Sequence, residues 1–329
     1  MRVLIFGGTP LANRLAYYIM AYSEVKDIAT TVIRRELDST TTLNIVQQNV
    51  WNTYVSDTQG RTDLIINAHE EGRLKICETD PTVAWRTNTR HAAWIAYAAR
   101  TANVPLIHWS SDHVFRGASG PYSHDRETSS ETPMNVYGVT KLYAEQFVQH
   151  LYPKRTLGQE FDALNPGTTI VRTSGLYGAD VPDSLPAILT HEEKTASGTE
   201  FHTHGIVRNK AKISPSFIGE VAFLFARNLL LSPQSLNEPV IHIAPGWGVT
   251  TWAEYLHNLG CDISFQEVGE RQKRDFAPNE HLQRQGQLRG LTPTPGWFLP
   301  SDPQKSWTDF KSEYESGGKW KYVRYWNAE

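Results

Sequence analysis

Apolar and polar positions divide the first half of the chain into short apolar runs that alternate with longer segments of helical period. Arg2-Val3-Leu4-Ile5-Phe6 is a continuous apolar run, the pattern of a strand covered on both faces. Gly7-Gly8-Thr9 follows it, and Leu11, Leu15, Tyr18 and Ile19 then recur at helical spacing. Asp27–Ile33 reads as a second strand ending in Arg34-Arg35, and Asp63–Ala68 as a third with no clear helix ahead of it. Thr82–Ala102 is predicted to be a helix whose face carries Ala84, His91, Ala92, Ile95, Ala96 and Ala99. Val104–Trp109 is the next strand. A helix from Tyr137 through Leu142, Ala144, Phe147 and Val148 comes after it, then a strand at Thr168–Arg172. Strand–helix alternation of this kind predicts an α/β chain built on a doubly wound parallel sheet.

After Ser174 the rhythm changes. Ser184–Phe201 is polar and reads as a partly mobile connection, Phe217–Leu231 as a strongly apolar helix and Val240–Ile243 as a strand. Thr250–Leu259 is a helix with a threonine cap at its start. Pro293, Pro295, Pro300 and Pro303 are expected to break up the tail. No repeat or low-complexity segment interrupts the order.

Composition narrows the partners more than the fold. At 329 residues the chain exceeds a single core of ~250 residues, so one large or two intimate domains are expected. A net charge of −3 provides no basic footprint for nucleic acid or an anionic membrane. No apolar run approaches ~18 residues, and the N-terminal stretch, read as a strand without the basic region, long apolar segment and cleavage site of a signal peptide, is expected not to be one. Cys77 and Cys261 make no disulfide framework and lack metal spacing, which points to a reducing, cytoplasmic setting. His191, His202 and His204 sit among Gly and Thr and are expected in a loop, with no metal bound. His108 and His257 read as ordinary strand and helix residues.

The candidate chemistry lies between His108 and Lys141. Ser110 and Ser111 close an apolar strand, and Tyr137 and Lys141 are four apart, on one face of a helix. An ammonium beside a phenol of pKa near ~10 lowers that pKa, and a nearby serine hydroxyl completes a group able to polarise and protonate a carbonyl. Alone, the Tyr–Lys spacing also describes a plain helix surface.

Together, SSDHVF, NVYGVTK and VRTSGLYG resemble the extended short-chain dehydrogenase/reductases, and within them the dTDP-4-dehydrorhamnose reductase branch. That branch also holds the regulatory beta subunit of methionine adenosyltransferase. The resemblance runs from Met1 to about Leu282, is tightest from Asp63 to Phe147, and is thin thereafter. It implies a Rossmann-type domain over residues 1–175 that binds NAD(P), and a smaller α/β substrate domain over residues 176–329, with some later segments returning to the first. Ser111 is implied to orient the carbonyl, Tyr137 to give the proton, and Lys141 to hold the nicotinamide ribose and lower the Tyr137 pKa. Asn88 matches a family asparagine that supports a proton-relay water.

The implied cofactor site comprises Gly7, Gly8, Thr9, Pro10, Leu11, Arg34, Arg35, Asn67, Ala68, His69 and Ser110, with Tyr137 and Lys141. The family pattern at the first turn is G-x-x-G-x-x-G, and here Pro10 and Asn13 replace the second and third glycines. The turn is either a dinucleotide site or only a strand–helix connection, Asn13 adding bulk where helix and strand are expected to pack. Arg34 and Arg35 suit a 2′-phosphate and favour NADP(H) over NAD(H), or else form a solvated basic turn. After Asn67-Ala68 the family has small uncharged residues, whereas this chain has His69, Glu70 and Glu71, whose carboxylates must point away from phosphates.

The implied substrate site is Ser111, Asp112, His113, Phe115, Ser174, Gly175 and Arg274. It departs from the family at His113, where an aromatic is usual, and at Gly175, where rhamnose-forming reductases have tryptophan. Asn209, Pro215 and Ser216 keep a family loop. Arg274, Lys273 and Lys212 either meet a diphosphate or lie on the surface. The expectation is an NADPH-dependent reductase of a nucleotide-linked 4-keto-6-deoxysugar, in deoxysugar biosynthesis. The alternative is a non-catalytic regulatory subunit acting on a partner enzyme; a sugar-nucleotide epimerase or dehydratase fits Asp112-His113 less well. The Thr82–Ala102 and Tyr137 helices are common homodimer surfaces in the superfamily.

Overall fold

The computed structural model describes residues 1–21, 27–31, 62–153, 167–181, 183–195, 198–207, 211–232, 236, 238–265, 289–299 and 302–316. In chain order its first half comprises β1 (Arg2–Phe6), α1 (Pro10–Met20), β2 (Asp27–Thr31), β3 (Leu64–Asn67), α2 (Leu74–Thr79), α3 (Pro81–Ala84), α4 (His91–Ala102), β4 (Leu106–Ser111), α5 (Val136–Leu151) and β5 (Thr168–Thr173). The second half comprises β6 (Leu176–Tyr177), α6 (Leu185–Leu189), β7 (Thr190–Thr195), β8 (Gly198–Val207), β9 (Ser216–Phe217), α7 (Ile218–Leu231), β10 (Val240–Pro245), α8 (Trp252–Asn258), β11 (Asp262–Phe265), β12 (Phe298–Leu299) and α9 (Pro303–Glu315).

Seven parallel strands form the main sheet in the order β12-β10-β5-β4-β3-β1-β2. The chain runs from β1 out to the edge strand β2 and crosses back to β3 on the other side of β1. That reversal opens a crevice beyond the carboxyl ends of β1 and β3. Register then brings the ends of several strands to one rim: Phe6 pairs with Asn67, Asn67 with His108, and Ser111 with Thr173. The doubly wound parallel sheet expected from the alternation is therefore present, with β10 and β12 added to it from the second half of the chain.

The strands are continuous apolar runs because helices seal both faces. Leu11, Leu15 and Ile19 of α1 pack with Val221, Phe225 and Leu229 of α7 against Ile5, Ile66, Ile107 and Val171. On the other face Ile95 and Ala99 of α4 pack with Ala144 and Val148 of α5 against Leu4, Ile65 and Leu106. The small residues of α4 let it lie close to the sheet.

The helix expected over Thr82–Ala102 has a different interior. Pro81 opens it, the Asp80 side chain caps it by accepting from Val83 N at 3.1 Å, and Trp85–Arg90 between α3 and α4 is a π-helical turn. That wider turn buries Thr87, Asn88 and Thr89 in succession, where an α-helix of the same sequence presents them to different sides.

Two expectations for the second half are corrected. The described residues between Ser184 and Phe201 form α6, β7 and the start of β8, with β7 paired antiparallel to β8 and β11 parallel to β8. His191, His202 and His204 therefore lie on strands and not in a loop; His202 Nε2 stands 3.4 Å from Glu200 and 3.6 Å from Glu193. Among the described residues no His, Cys, Asp and Glu side chains are grouped as a metal site. The prolines do not break the whole tail either. Pro303 is the first residue of α9, with Asp302 as its cap, and Trp307 and Phe310 bury this helix against Tyr177, Phe217 and Tyr255. The capping threonine expected near residue 250 is Thr251, which forms a capping box with Glu254. No helix among the described residues is long and apolar enough to cross a membrane.

α9 also carries Glu313 to a fully buried arginine of α1. Arg14 donates to Glu313 Oε1 and Oε2 at 2.8 and 2.6 Å and to Asp180 Oδ1 and Oδ2 at 2.7 and 3.0 Å. Three segments far apart in sequence are thus held by one cation. Replacing one partner of a buried ion cluster leaves uncompensated charge and costs ~3–5 kcal/mol. Arg14→Leu is therefore expected to lower the unfolding free energy by about that amount in a urea titration.

Candidate active site

The rim of the crevice begins at Gly7. Its φ of 145° is reserved for glycine, and a Cβ there would lie 2.8 Å from the Ala68 carbonyl oxygen, so β1 and β3 end almost in contact. Thr9 then caps α1: its hydroxyl accepts from Ala12 N at 3.2 Å and donates to the Ala68 oxygen at 3.2 Å. Pro10 is the first helical residue, where its missing N–H breaks no bond of the helix. The expectation that Asn13 crowds the helix against the strand is corrected. Asn13 is exposed, and the side chain nearest Gly7 is that of Ala12.

The segment after Ala68 turns its side chains in alternate directions. Asn67 accepts from His69 N at 3.1 Å and its amide nitrogen is 3.0 Å from His108 Nδ1. His69 points inward, Nε2 lying 3.0 Å from His91 Nδ1. Glu71 is also buried; Arg73 Nε and Nη2 donate to its two oxygens, each at 2.9 Å. Asn88 clamps this stretch from the π-turn, accepting from Glu71 N at 2.7 Å and donating to Glu71 O at 3.2 Å and Thr140 Oγ1 at 3.0 Å. The amide assigned to a relay water is thus engaged in fixing backbone. Glu70 alone of the three turns toward α5.

α5 is held to the end of β4 by local chemistry that its sequence spells out. Asn135 caps it, accepting from Gly138 N at 2.7 Å, and Glu78 accepts from Val136 N at 2.8 Å. Gly138 faces the His113 carbonyl so closely that any Cβ would overlap it. This crossing sets Tyr137 and Lys141, both buried, beneath the end of β4. Lys141 Nζ donates to the Trp109 carbonyl at 2.6 Å and to Glu70 Oε2 at 3.0 Å; Tyr137 Oη donates to the same Glu70 oxygen at 3.0 Å. The expected lowering of the Tyr137 pKa is reversed. Burial, then the charge and hydrogen bond of Glu70, hold the phenol well above its ordinary value, with the Ser111 hydroxyl acting the other way.

On the substrate side, Ser111 Oγ donates to Asp112 Oδ1 at 3.1 Å, and Ser174 Oγ donates to Asp112 Oδ2 at 2.7 Å. Burial raises the Asp112 pKa against the pull of Arg289. Arg289 lies 2.8 and 2.6 Å from the two ring nitrogens of His113, and the His113 ring meets Tyr137 edge-on at 5.3 Å. Burial, then Arg289, push His113 well down.

Ser111, Tyr137 and Lys141 are thus gathered at one rim with Asp112, His113 and Ser174. Phe115 is not: it is buried in the core, stacked on Tyr122 at 4.0 Å and under the Arg172 guanidinium. Ser110 is buried, with no hydrogen-bond partner for its hydroxyl among the described residues. Gly175 has a φ of 54°, a backbone conformation that strains any side chain, and a Cβ there would lie 3.3 Å from Pro215 Cα and from Ser214 O. Arg34, Arg35, Asn209, Lys273 and Arg274 lie outside the described residues. Two members were missed: Arg289, which meets its partner across 176 positions, and Glu70, whose direction depends on the backbone turn after Ala68. Spacing carries no signal for either.

The profile of the family described as "RmlD substrate binding domain" matches residues 1–199. dTDP-4-dehydrorhamnose reductase of Salmonella typhimurium is 29% identical over 202 residues, covering 59% of this chain and 58% of its own. Methionine adenosyltransferase 2 subunit beta of Xenopus tropicalis is 31% identical over 246 residues, covering 73% of this chain and 64% of its own. The chain therefore spans about three fifths of the length of each. Among solved structures, dTDP-4-dehydrorhamnose reductase from Bacillus anthracis, in complex with NADP, superposes with a TM-score of 0.66 at 18% identity, covering 95% of this chain and 99% of that one. At that identity it shares the fold.

The buried histidine pair makes stability depend on acid. Burial, then the facing His69, depress His91 from 6.5 to about 3. The unfolded chain therefore takes up a proton that the folded one refuses between these values. The contribution is complete above 6.5 and is lost as pH falls toward 3. Unfolding free energies measured across this window should fall less steeply for His91→Gln than for the unaltered protein.

Proposed function

Because the chain belongs to the RmlD substrate binding domain family, we propose that it reduces the keto group of a nucleotide-linked 4-keto-6-deoxysugar, with NADPH in preference to NADH. The observation that carries the reading is the convergence of Ser111, Tyr137 and Lys141 on one rim of the sheet, beside the Gly7 turn. The turn fits a dinucleotide: it has no side chain where β1 and β3 meet, and it opens on the amino terminus of an 11-residue helix. Backbone of Gly7, Gly8, Thr9 and Leu11 would hold the pyrophosphate, Asn67-Ala68 would lie along the molecule, and Lys141 would take the ribose hydroxyls. The preference for the 2′-phosphate rests on Arg34 and Arg35.

When bound, the reduced nicotinamide supplies the hydride. The protein's part is to hold the carbonyl and to move one proton. Ser111, once its hydroxyl turns from Asp112 to the carbonyl oxygen, donates to that oxygen and fixes its direction. Tyr137 gives its phenolic proton to that oxygen as negative charge develops there. Lys141 then faces the phenolate as its counter-ion. Asp112 holds the Ser111 hydroxyl until the carbonyl arrives, and Arg289 and His113 form the neighbouring wall of the sugar pocket. A homodimer is part of the same reading, since the outward faces of Trp85–Ala102 and α5 carry exposed Trp85, Tyr97, Tyr143 and Phe147. A reducing, cytoplasmic location accords with two free thiols, Cys77 and Cys261.

One observation favours a second reading, a regulatory subunit acting on a partner enzyme: Glu70 occupies both Tyr137 and Lys141. Its test is a stable complex with an enzyme whose kinetics change on addition of this chain.

For the reductase, NADPH is expected to raise the melting temperature more than NADH does. A dTDP-linked 4-keto-6-deoxysugar should oxidise NADPH, as followed by loss of its absorbance. Tyr137→Phe should lower kcat by ~10²–10⁴-fold while leaving the NADPH Kd within a few-fold. Equal turnover by Tyr137→Phe would exclude the assignment.

A further inference from the structure

The Tyr137–Lys141 pair is not waiting with its donors open. A single oxygen, Glu70 Oε2, accepts from the phenol and from the ammonium, each at 3.0 Å. The two donors are buried, whereas the side chain of their common acceptor is 28% exposed, so the accessible member of the cluster is the carboxylate. Its backbone is held on both sides, by Asn67 Oδ1 on His69 N and by Asn88 on both backbone groups of Glu71. The side chain of Glu70 therefore has a fixed root and is partly open to solvent. A phenol has one proton to donate. While that proton lies on Glu70, none is available to a carbonyl in the cleft.

We infer that Glu70 is an internal ligand of the Tyr137–Lys141 pair: its carboxylate holds both donors in the free protein, and it must leave before a cofactor hydroxyl or a substrate carbonyl engages them. This rests on the reductase reading above and adds a gate to it. The phenol is correspondingly a poorer acid in the closed arrangement, because the carboxylate opposes its ionisation. A state that must open before it binds weakens apparent affinity by the fraction that is open.

The test uses the full-length protein with Glu70→Ala, Glu70→Gln and Glu70→Asp. Asp keeps the charge but is one methylene too short to reach both donors. NADPH Kd is measured by calorimetry, and the Tyr137 ionisation is followed by NMR of protein labelled at tyrosine Cζ, assigned with Tyr137→Phe. The inference expects Ala and Asp both to tighten NADPH by about tenfold and to bring the Tyr137 titration to lower pH. Tightening by Gln and Ala but not by Asp would mean general charge repulsion and would overturn it. So would weaker NADPH binding in every variant, which would make Glu70 a cofactor contact. An unmoved Tyr137 titration overturns it whether or not NADPH binds. If the titration moves and no form binds NADPH, the internal ligand stands and the reductase reading falls.

Discussion

The crossing of α5 over the end of β4 is the constraint on which the rest of the site depends. Gly138 passes the His113 carbonyl at a separation that admits no side chain, and Asn135 and Glu78 satisfy the first amides of the helix at that point. A helix docked so closely has no freedom to slide or rotate. Tyr137 and Lys141 are consequently delivered one turn apart to the place where β4 ends in Ser111. The same crossing makes both side chains buried, and burial then dominates the electrostatics of the Tyr137 phenol.

Burial also explains why this group of residues behaves differently from its components. A buried ammonium needs acceptors, and Lys141 finds two, the Trp109 carbonyl and Glu70. The carboxylate that satisfies it stands equally close to the phenol, so the positive charge expected to favour ionisation of Tyr137 is opposed by a negative one hydrogen-bonded to that phenol. On the opposite side of the sheet, Arg14 shows the same economy with the signs exchanged, one buried cation held by two carboxylates. In both places a local charge is balanced by residues remote in sequence, and at Arg14 the two halves of the chain are joined as a result.

Most of the main sheet was legible because its strands are sealed on both faces and so read as unbroken apolar runs. NVYGVTK was legible for a different reason: cap, glycine and tyrosine act within one turn of helix, so their spacing is their geometry. Legibility ends where contacts are distant or patterns are polar. β7, Thr-His-Glu-Glu-Lys-Thr, has no apolar face and reads as a connection, yet it pairs in full register with β8. Pro303 reads as a breaker but serves as the start of a helix. Asn13 was misplaced because a glycine pattern fixes the order of residues around a turn but not which of them faces the strand. The direction of the Tyr137 shift was inverted because a carboxylate 67 positions away leaves no trace in the local spacing.

The π-turn at Trp85–Arg90 has a consequence for how this chain tolerates change in length. Such a turn holds one residue more than an α-helical turn, and here the surplus aims Asn88 at the Glu71 backbone while Ile95 and Ala99 still face the sheet. Removing any single residue from this stretch would relax it to an ordinary α-helix and swing either the clamp or the apolar stripe about a quarter-turn aside. The segment is thus tuned by count as well as by composition, and a deletion here would be felt in the position of Glu70 before it was felt in the core.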